Sequence, residues 1–324
     1  KARLIYDDVS DLLEDQDPEA EKKLSNQVED LRLMEELAHN LYEKRRRRGS
    51  IDFDFPETKI VLDEDGFPVE IGKEDRRIAN RIIEEFMLAT NETIAEEMYW
   101  GDLPFLYRVH EKPDMERIEE FNKFIHNFGY NIKGSQEIHP KELQGLAEEV
   151  KGKKEEVLIN TLLLRSLKKA RYSSENEVHF GLASKYYCHF TAPIRRYPDL
   201  EIHRIIKSYI NGKLNPMEQD RLSIALPKVA GHTSITERTA EEAEREVEDL
   251  KKAEYMSTRI GEEYEGIVSS LTHFGMFVQL DNTIEGLVHF SNMTDDYYHF
   301  DEKNYYIIGE HTNKIYRLGD SVKI

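Results

Sequence analysis

The sequence predicts an α+β fold, in which a mixed α/β body is followed by a small all-β barrel. In the first 258 residues, stretches with apolar side chains at helical spacing alternate with short β runs. Beyond Gly261, three glycine-punctuated β runs follow one another at 264–271, 275–280 and 284–290, and no helical pattern separates them. We therefore expect two domains, at 1–258 and 259–324, with the barrel cut short at its end.

The body begins with a charged helical stretch and contains several more in which apolar residues recur every three or four positions. The strongest of them carries Ile78, Ile82, Phe86 and Thr90 on one stripe. The predicted helices cover 18–48, 75–98, 114–128, 140–151, 154–170 and 201–210.

Two further local patterns predict a hairpin and a long helix. Runs at 51–56 and 59–63 alternate apolar and polar residues, and we expect these two strands to be joined through Asp65-Gly66 as a hairpin turn. Thr239 and Glu242 have the spacing of a capping box, which predicts that a long helix starts there. Its inward-facing residues would be Ala240, Ala243, Val247 and Leu250.

The chain is strongly acidic overall, but its charge is unevenly distributed. The 45 basic and 64 acidic residues give a formal net charge of −19, which alone would argue against nucleic acid as a partner. Residues 160–213, however, contain ten Lys or Arg and four acids, whereas residues 1–30 contain four and ten. The middle of the chain therefore predicts a local basic patch that binds a polyanion at one place.

Cysteine content and hydropathy restrict the location of the protein. Cys188 is the only cysteine, so no disulfide forms within the chain, as is typical of a reducing, cytoplasmic compartment. No apolar run reaches transmembrane length, and the start does not resemble a signal peptide. Because Lys1 is not an initiator and Ile324 falls inside an apparent strand, we expect a piece of a longer protein.

The segment at 189–200, HFTAPIRRYPDL, is the most informative part of the chain. Its two prolines restrict the backbone around Arg195 and Arg196, which favours a rigid placement of both guanidinium groups. Arginine is the side chain suited to bidentate phosphate binding. This segment therefore predicts a phosphate-binding loop. A second basic run, 45–48, fits either such a role or, more simply, a solvated helix end.

Five stretches together resemble the ribonuclease II/ribonuclease R family of processive 3′→5′ exoribonucleases. They are GSIDFDFPE at 49–57, IIEEFM at 82–87, LYRVHEKP at 106–113, the block from HFGLA to HR at 179–204, and AEREV at 243–247. Residues 266–268, 273–278 and 285–289 resemble the OB-fold RNA-binding repeat of the largest small-subunit ribosomal protein. The resemblance spans nearly the whole chain and implies an RNB-type catalytic body with an OB-fold barrel.

This resemblance implies hydrolysis of single-stranded RNA from the 3′ end to nucleoside 5′-monophosphates. Aspartates of such enzymes hold Mg²⁺ against the scissile phosphate, and they would precede the first stretch matched here. We therefore expect no metal ligands in this chain, which would bind RNA and cleave it poorly or not at all. The expected setting is the cytoplasm, with association with ribosomes as a further expectation and neither membrane nor DNA as a partner.

Two residues acquire catalytic roles from the resemblance. Arg195 would contact the phosphate near the scissile bond and stabilise the charge that builds up there. Its neighbour Arg196 would bind RNA or instead bridge to an acid such as Asp199. Glu244 would lie near the reaction centre and influence product release or the grip on RNA.

Several further residues acquire RNA-binding roles. Of Glu84 and Glu85, we favour Glu85 as the reader of the ribose 2′-hydroxyl, the alternative being a solvated helix residue. Tyr6 would work on the same ribose contacts and Phe53 would stack on the 3′-terminal bases, although both fit a core equally well. In the barrel, stacking on bases is expected of Phe274, Phe277 and His289, unless one of the phenylalanines fills the barrel.

Metal binding is the less favoured interpretation of the remaining polar residues. Asp52 and Asp54 share one face of a strand and form the best local carboxylate pair for Mg²⁺, but no third carboxylate is evident nearby. The spacing of His179, His189 and His203 does not match a zinc site. We expect these histidines to brace the loop.

Two other classes of protein compete with the exoribonuclease interpretation. A non-catalytic RNA-binding or ribosome-associated scaffold would show the same binding residues without an aspartate cluster upstream. A barrel-containing translation or transcription factor would leave the joint occurrence of the arginine segment and the glutamate helix unexplained.

Overall fold

The computed structural model describes residues 3–52, 57–132, 138–153, 155–302 and 304–324. Within these ranges the chain forms nine α-helices, most of them in the N-terminal two thirds. They are α1 Tyr6–Leu13, α2 Pro18–Lys23, α3 Val28–Arg48, α4 Ile78–Trp100, α5 Met115–His126, α6 Pro140–Val150, α7 Glu156–Ser166, α8 Tyr197–Ile210 and α9 Pro216–Ser257. None of the described helices is both long and apolar enough to cross a membrane.

The strands pair only in antiparallel fashion. In the body, β1 pairs with β2 and β3 with β4. The C-terminal module contains a four-stranded sheet of order β11-β5-β6-β7 and a three-stranded sheet of order β10-β9-β8. Their bounds are β1 Glu57–Leu62, β2 Pro68–Glu74, β3 Tyr107–Val109, β4 Arg171–Ser173, β5 Glu265–Thr272, β6 Gly275–Leu280, β7 Glu285–His289, β8 Tyr298–Asp301, β9 Tyr306–Gly309, β10 Ile315–Arg317 and β11 Ser321–Lys323.

The α+β class is confirmed, and most predicted helices are present with shifted ends. The predicted helix at 18–48 is interrupted between α2 and α3, and α1 and β4 were not predicted. The Asp65-Gly66 turn is present, with Gly66 in the left-handed region at a φ of 79°, but it joins β1 to β2, with Ile60 opposite Ile71, rather than the two predicted runs. Residues 53–56 of the first predicted β run lie outside the described residues.

The prediction for the last helix was wrong in its start and its buried face. Helix α9 begins at Pro216, where the Asn215 side chain accepts a hydrogen bond from the Glu218 amide at 3.0 Å. Thr239 therefore lies in the middle of the helix, where its hydroxyl donates to the Ile235 carbonyl at 3.2 Å. The buried residues of the helix lie in its first half, between Leu222 and Ser234, and the four residues predicted to face inward are exposed: Ala240, Ala243, Val247 and Leu250.

The body has two main apolar cores. One lies among α5, α6 and α7 and includes Ile51 and Phe180. The other joins the end of α4, the β3–β4 pair, α8 and the first half of α9, and it includes Phe105 and Cys188. Cys188 belongs to this second core and Phe190 packs against it. Both residues come shortly before Arg195, so the core anchors that segment beside α9.

The two sheets of the C-terminal module share one core around Val268, Val278 and Ile307. Their strand ladders form two packed sheets, and within the described residues they do not close into one barrel. Strand residues alternate between the core and the outer face, as the sequence pattern indicates. The predicted small all-β module is therefore present, without the closed ladder.

The C-terminal module packs against the body through several contacts, which include Leu158 of α7 in the module's core. Phe124 of α5 meets Tyr305 with ring centroids 5.5 Å apart. The hydroxyl of Thr58, on the β1–β2 hairpin, is hydrogen-bonded at 2.8 Å to the hydroxyl of Thr283 in the C-terminal module. The Lys251 ammonium of α9 donates to the Gly66 carbonyl at 2.6 Å, so the hairpin contacts both α9 and the module.

Candidate functional site

We call residues 189–196 the arginine loop, because it presents both predicted arginines just before α8. Asp199 in the first turn of α8 is fully buried and organises the loop. Its Oδ1 accepts hydrogen bonds from the Ala192 amide at 2.8 Å and from Arg196 Nη2 at 2.7 Å. Arg196 therefore braces the loop through Asp199, which is the bridging alternative stated above.

Arg195 differs sharply from its neighbour. Its side chain is exposed, and among the described residues its guanidinium has neither a hydrogen bond nor an ion pair. Elsewhere in the predicted basic patch, four cations are neutralised by acids: Lys168, Arg171, Arg196 and Arg204. The patch is thus less positive than its composition indicates, and Arg195 remains as a free cation on a braced loop.

Side chains beneath the loop hold its backbone in place. Asn91 of α4 accepts a hydrogen bond from the Phe190 amide at 3.0 Å. His203 Nε2 lies 2.9 Å from the Phe190 carbonyl, and its ring stacks on Phe190 at 4.2 Å. The Leu182 amide donates to His179 Nδ1 at 3.3 Å. His203 therefore braces the arginine loop, as predicted, whereas His179 holds the turn at 179–182, outside this loop.

His189 contacts a polar network that the sequence does not reveal. Tyr172 of β4 places its hydroxyl 2.9 Å from His189 Nδ1 and 3.3 Å from Glu237 Oε1. Arg108 of β3 donates to Glu237 Oε2 at 2.6 Å and lies over the Tyr172 ring. Burial, together with the positive charges of Arg196, Arg108 and other neighbours, lowers the pKa of His189 to about 2. The imidazole is therefore neutral at physiological pH.

Glu85 is buried in a cleft of about 910 Å³ between α3, α4 and α6. Its Oε1 accepts from Arg45 Nη2 at 2.6 Å, and Arg45 Nη1 donates to the Ser50 hydroxyl at 2.7 Å. The alternative of a solvated helix glutamate is therefore excluded for Glu85. Its neighbour Glu84 is half-buried and pairs with Arg76.

Two of the four arginines in the basic run at 45–48 are not solvated. The solvated helix end favoured from sequence therefore describes only half of the run. Arg45 is buried against Glu85, and Arg48 pairs with Glu92 while donating to the Leu182 carbonyl at 3.2 Å. Only Arg46 and Arg47 are exposed. Gly49 at a φ of 105° ends the helix and turns the chain toward Ser50.

The described residues do not fit a magnesium site. Asp52 lies 3.8 Å from both Arg45 and Arg76, so guanidinium groups occupy the surroundings where a cation would bind. Asp54 lies outside the described residues. Across the described ranges, no three His, Cys, Asp or Glu side chains converge in a way that could hold a metal ion. No step through Mg²⁺ can be assigned to these residues.

The other predicted site residues of the body are dispersed. Tyr6 is the first residue of α1 and is 51% exposed, which excludes the core alternative. Phe53 lies outside the described residues. Glu244 is exposed on α9, seven residues beyond Glu237 and thus about 10 Å further along the helix. Glu237, rather than Glu244, is the acid that contacts the network next to the arginine loop.

Three predicted residues of the C-terminal module share its outer face. Phe274 is 48% exposed, and its ring is nearly parallel to that of His289 at 6.4 Å. Phe277 is half-buried opposite Leu287, on the strand face that points away from the core. Neither phenylalanine fills the module, so all three rings are placed where bases could stack.

The residues that sequence reasoning missed are Arg45, Tyr172 and Glu237. Arg45 carried a weak signal, because an arginine one turn before a helix-ending glycine can point back into the body. Tyr172 and Glu237 carried none, because their contacts join β4, α9 and the loop across separations of 17 and 65 residues.

Comparison with known proteins identifies two sequence families within the chain. The profile described as "RNB domain" matches residues 1–212, and that described as "S1 RNA binding domain" matches residues 257–324.

The chain is similar over its full length to proteins named ribonuclease R. It is 46% identical to "Ribonuclease R 1" of Lactococcus lactis, over 99% of this chain and 39% of that protein. It is 45% identical to "Ribonuclease R" of Aquifex aeolicus, over 100% of this chain and 46% of that protein. The chain thus spans less than half the length of these relatives.

Among solved structures, the chain resembles Mycoplasma genitalium RNase R in complex with ribose methylated single-stranded RNA. The TM-score is 0.88 at 29% sequence identity, covering 100% of this chain and 51% of that one. The same protein solved with double-stranded RNA has a TM-score of 0.77 over 92% of this chain.

Proposed function

The chain belongs to the RNB-domain family that includes ribonuclease R, and on that premise we propose that it is the RNA-binding portion of a 3′→5′ exoribonuclease. The whole enzyme would hydrolyse single-stranded RNA to nucleoside 5′-monophosphates in the cytoplasm. The buried, unpaired thiol of Cys188 fits a reducing compartment. Association with ribosomes stays a prediction.

The observation that carries this proposal is the contrast between the two loop arginines. Arg196 is neutralised by the fully buried Asp199, whereas Arg195 is exposed and unpaired among the described residues. A cation that is held in place without an internal partner is preorganised for a phosphate group. Arg195 would bind the phosphate at the scissile bond and stabilise the negative charge that develops there.

The other predicted contacts would add affinity for RNA and selectivity for ribose over deoxyribose. Glu85 would read the 2′-hydroxyl from the cleft beside α4, with its carboxylate held in position by Arg45. The outer face of the C-terminal module, with Phe274, Phe277 and His289, would stack on bases upstream. Tyr6, Phe53, Arg196 and Glu244 stay proposed RNA or reaction-centre contacts on the strength of the family pattern.

Hydrolysis in this proposal needs Mg²⁺ to activate water and to neutralise the phosphate. Because the described residues do not fit such an ion, we propose that its carboxylate ligands come from residues other than those described. The chain would then bind RNA but shorten it slowly or not at all.

A gel assay with 5′-labelled single-stranded RNA and Mg²⁺, beside titrations of RNA and of DNA of the same sequence, tests this function. We expect RNA to bind more tightly than DNA without stepwise shortening. Arg195→Ala should weaken RNA binding, while Lys213→Ala, which removes another exposed cation, should not. Absence of RNA binding would overturn the proposal. Stepwise shortening would instead show that the chain supplies its own metal ligands.

A further inference from the structure

Glu237, Tyr172 and His189 form a continuous line of polar contacts from α9 to the arginine loop. The Tyr172 hydroxyl is the middle member, 3.3 Å from Glu237 Oε1 and 2.9 Å from His189 Nδ1. The second carboxylate oxygen, Oε2, accepts from Arg108 at 2.6 Å. Tyr172 is buried and the other three side chains are half-buried, and the four belong to three elements and the loop.

The direction of these hydrogen bonds follows from the chemistry of the three groups. The carboxylate of Glu237 is ion-paired with Arg108, so it is ionised and can only accept. Tyr172 has a single hydroxyl proton, and a carboxylate is a stronger acceptor than a neutral imidazole. When Tyr172 donates to Glu237, its oxygen is left to accept from His189, so the proton of the imidazole is on Nδ1.

This arrangement leaves a lone pair on His189 Nε2. A neutral imidazole carries one N–H, and the other nitrogen is an acceptor. Among the described residues, Nε2 has no hydrogen-bond partner, and it is not one of the polar atoms buried without one. The acceptor is therefore not fully enclosed, and it belongs to the same loop that presents Arg195, six residues along the chain.

We propose that Glu237 and Tyr172 fix the tautomer of His189 so that its Nε2 accepts a hydrogen bond from a ribose hydroxyl of RNA held at Arg195. This inference rests on the proposed function and deepens it, because it adds a sugar-reading group next to the phosphate-binding arginine. Glu237 and Tyr172 are positioning residues, since they act through His189. The 2′-hydroxyl is the donor that DNA lacks.

The environment of the ring excludes two other uses of His189. Burial and the neighbouring arginines depress its pKa to about 2, so it does not become a cationic phosphate ligand. The same depression makes it a poor general base, because such a base works best with a pKa near the operating pH. Hydrogen-bond acceptance is the remaining role.

The tautomer is tested by the ¹⁵N chemical shifts of the His189 ring in the full chain. We expect a protonated Nδ1 and a bare Nε2 in the wild type. Tyr172→Phe keeps the aromatic ring and removes the hydroxyl, so the shifts should move toward the Nε2–H form. Tyr187→Phe, which removes another buried hydroxyl two residues before His189, one that is bonded to Asn91 and not to the imidazole, should leave them unchanged. A wild-type ring protonated at Nε2 would overturn the assignment.

The ligand is tested by dissociation constants for three matched oligonucleotides: RNA, 2′-O-methyl RNA and DNA. His189→Phe should weaken binding of RNA about fivefold, as expected for one hydrogen bond, and leave the other two nearly unchanged. Tyr172→Phe should act in the same direction with a smaller effect. Equal losses of affinity for all three oligonucleotides would show that His189 only shapes the loop and would overturn the inference.

The two proposals fail in different ways. If the wild type binds no RNA, the proposed function fails, and the sugar-reading role of His189 fails with it. If the wild type binds RNA and Arg195→Ala weakens that binding, while His189→Phe does not change selectivity, only the present inference is wrong.

Discussion

Arg45 Nη2 and Glu85 Oε1 lie 2.6 Å apart between α3 and α4, and each of the two side chains is only 7% exposed. The pair gives Glu85 a structural role beside its proposed reading of the ribose. A buried charge that loses its partner destabilises a protein by about 3–5 kcal/mol, whereas replacing both partners with apolar residues is often neutral. The two roles of Glu85 can therefore be separated by experiment.

We expect Glu85→Leu alone to lower the free energy of unfolding by about 3–5 kcal/mol, because it leaves Arg45 buried and uncompensated. The double variant Arg45→Met/Glu85→Leu should recover most of that loss in urea denaturation. If Glu85 also reads the 2′-hydroxyl, the recovered double variant will still bind RNA and DNA with more similar affinities. A double variant as unstable as the single one would contradict the ion-pair argument.

The adjacent loop arginines should respond to mutation in opposite ways. Arg196→Ala leaves the carboxylate of Asp199 fully buried without its ion-pair partner, so we expect a loss of stability of about 3–5 kcal/mol. Arg195→Ala removes an exposed, unpaired side chain, so the stability should change by less than about 0.5 kcal/mol. RNA affinity, measured by fluorescence anisotropy, should fall strongly for the Arg195 variant. Equal stability losses in the two variants would show that both arginines only brace the loop.

Local patterns predicted the elements of this fold well where a short signal sufficed. The Asp65-Gly66 turn and the glycine-punctuated strands of the C-terminal module follow from backbone rules that act over a few residues. The predicted start of α9 was wrong because Thr239 and Glu242 have the spacing of a capping box but lie inside the helix. The actual N-cap is Asn215.

The candidate site was predictable only in part, because sequence shows which side chains are chemically suited but not which are already neutralised. Arg195 and Arg196 look equivalent in the sequence, and the buried Asp199 distinguishes them. Glu237 was passed over for Glu244 because its contacts with Arg108 and Tyr172 come from distant parts of the chain.

The outer face of the C-terminal module should contribute to RNA binding without contributing to stability. Phe274 is 48% exposed beside His289, so Phe274→Ala should weaken binding of single-stranded RNA by about 1–3 kcal/mol, the value of one base stacked on an aromatic ring. Thermal unfolding should barely change. As a control, Val278→Ala, at a buried position of β6, the strand that follows Phe274, should lower stability instead. Unchanged RNA affinity in the Phe274 variant would remove this face from the binding path.

Asp296 gives the C-terminal module a predictable dependence on pH. Its carboxylate accepts hydrogen bonds from the Thr312 hydroxyl at 2.6 Å, the Thr312 amide at 2.7 Å and the His311 amide, and these bonds hold its pKa well below the ordinary range. Because the folded state favours the ionised form, the stabilisation is complete above the ordinary carboxyl pKa of about 3.9 and is lost as the pH falls below it.

Asp296→Asn should therefore be less stable than the wild type near neutral pH, and the difference should shrink below about pH 4. Urea denaturation of both proteins across this range, with the exposed Asp281→Asn as control, measures the difference. A gap between wild type and Asp296→Asn that stays constant with pH would show that packing of the side chain, and not its charge, stabilises the turn.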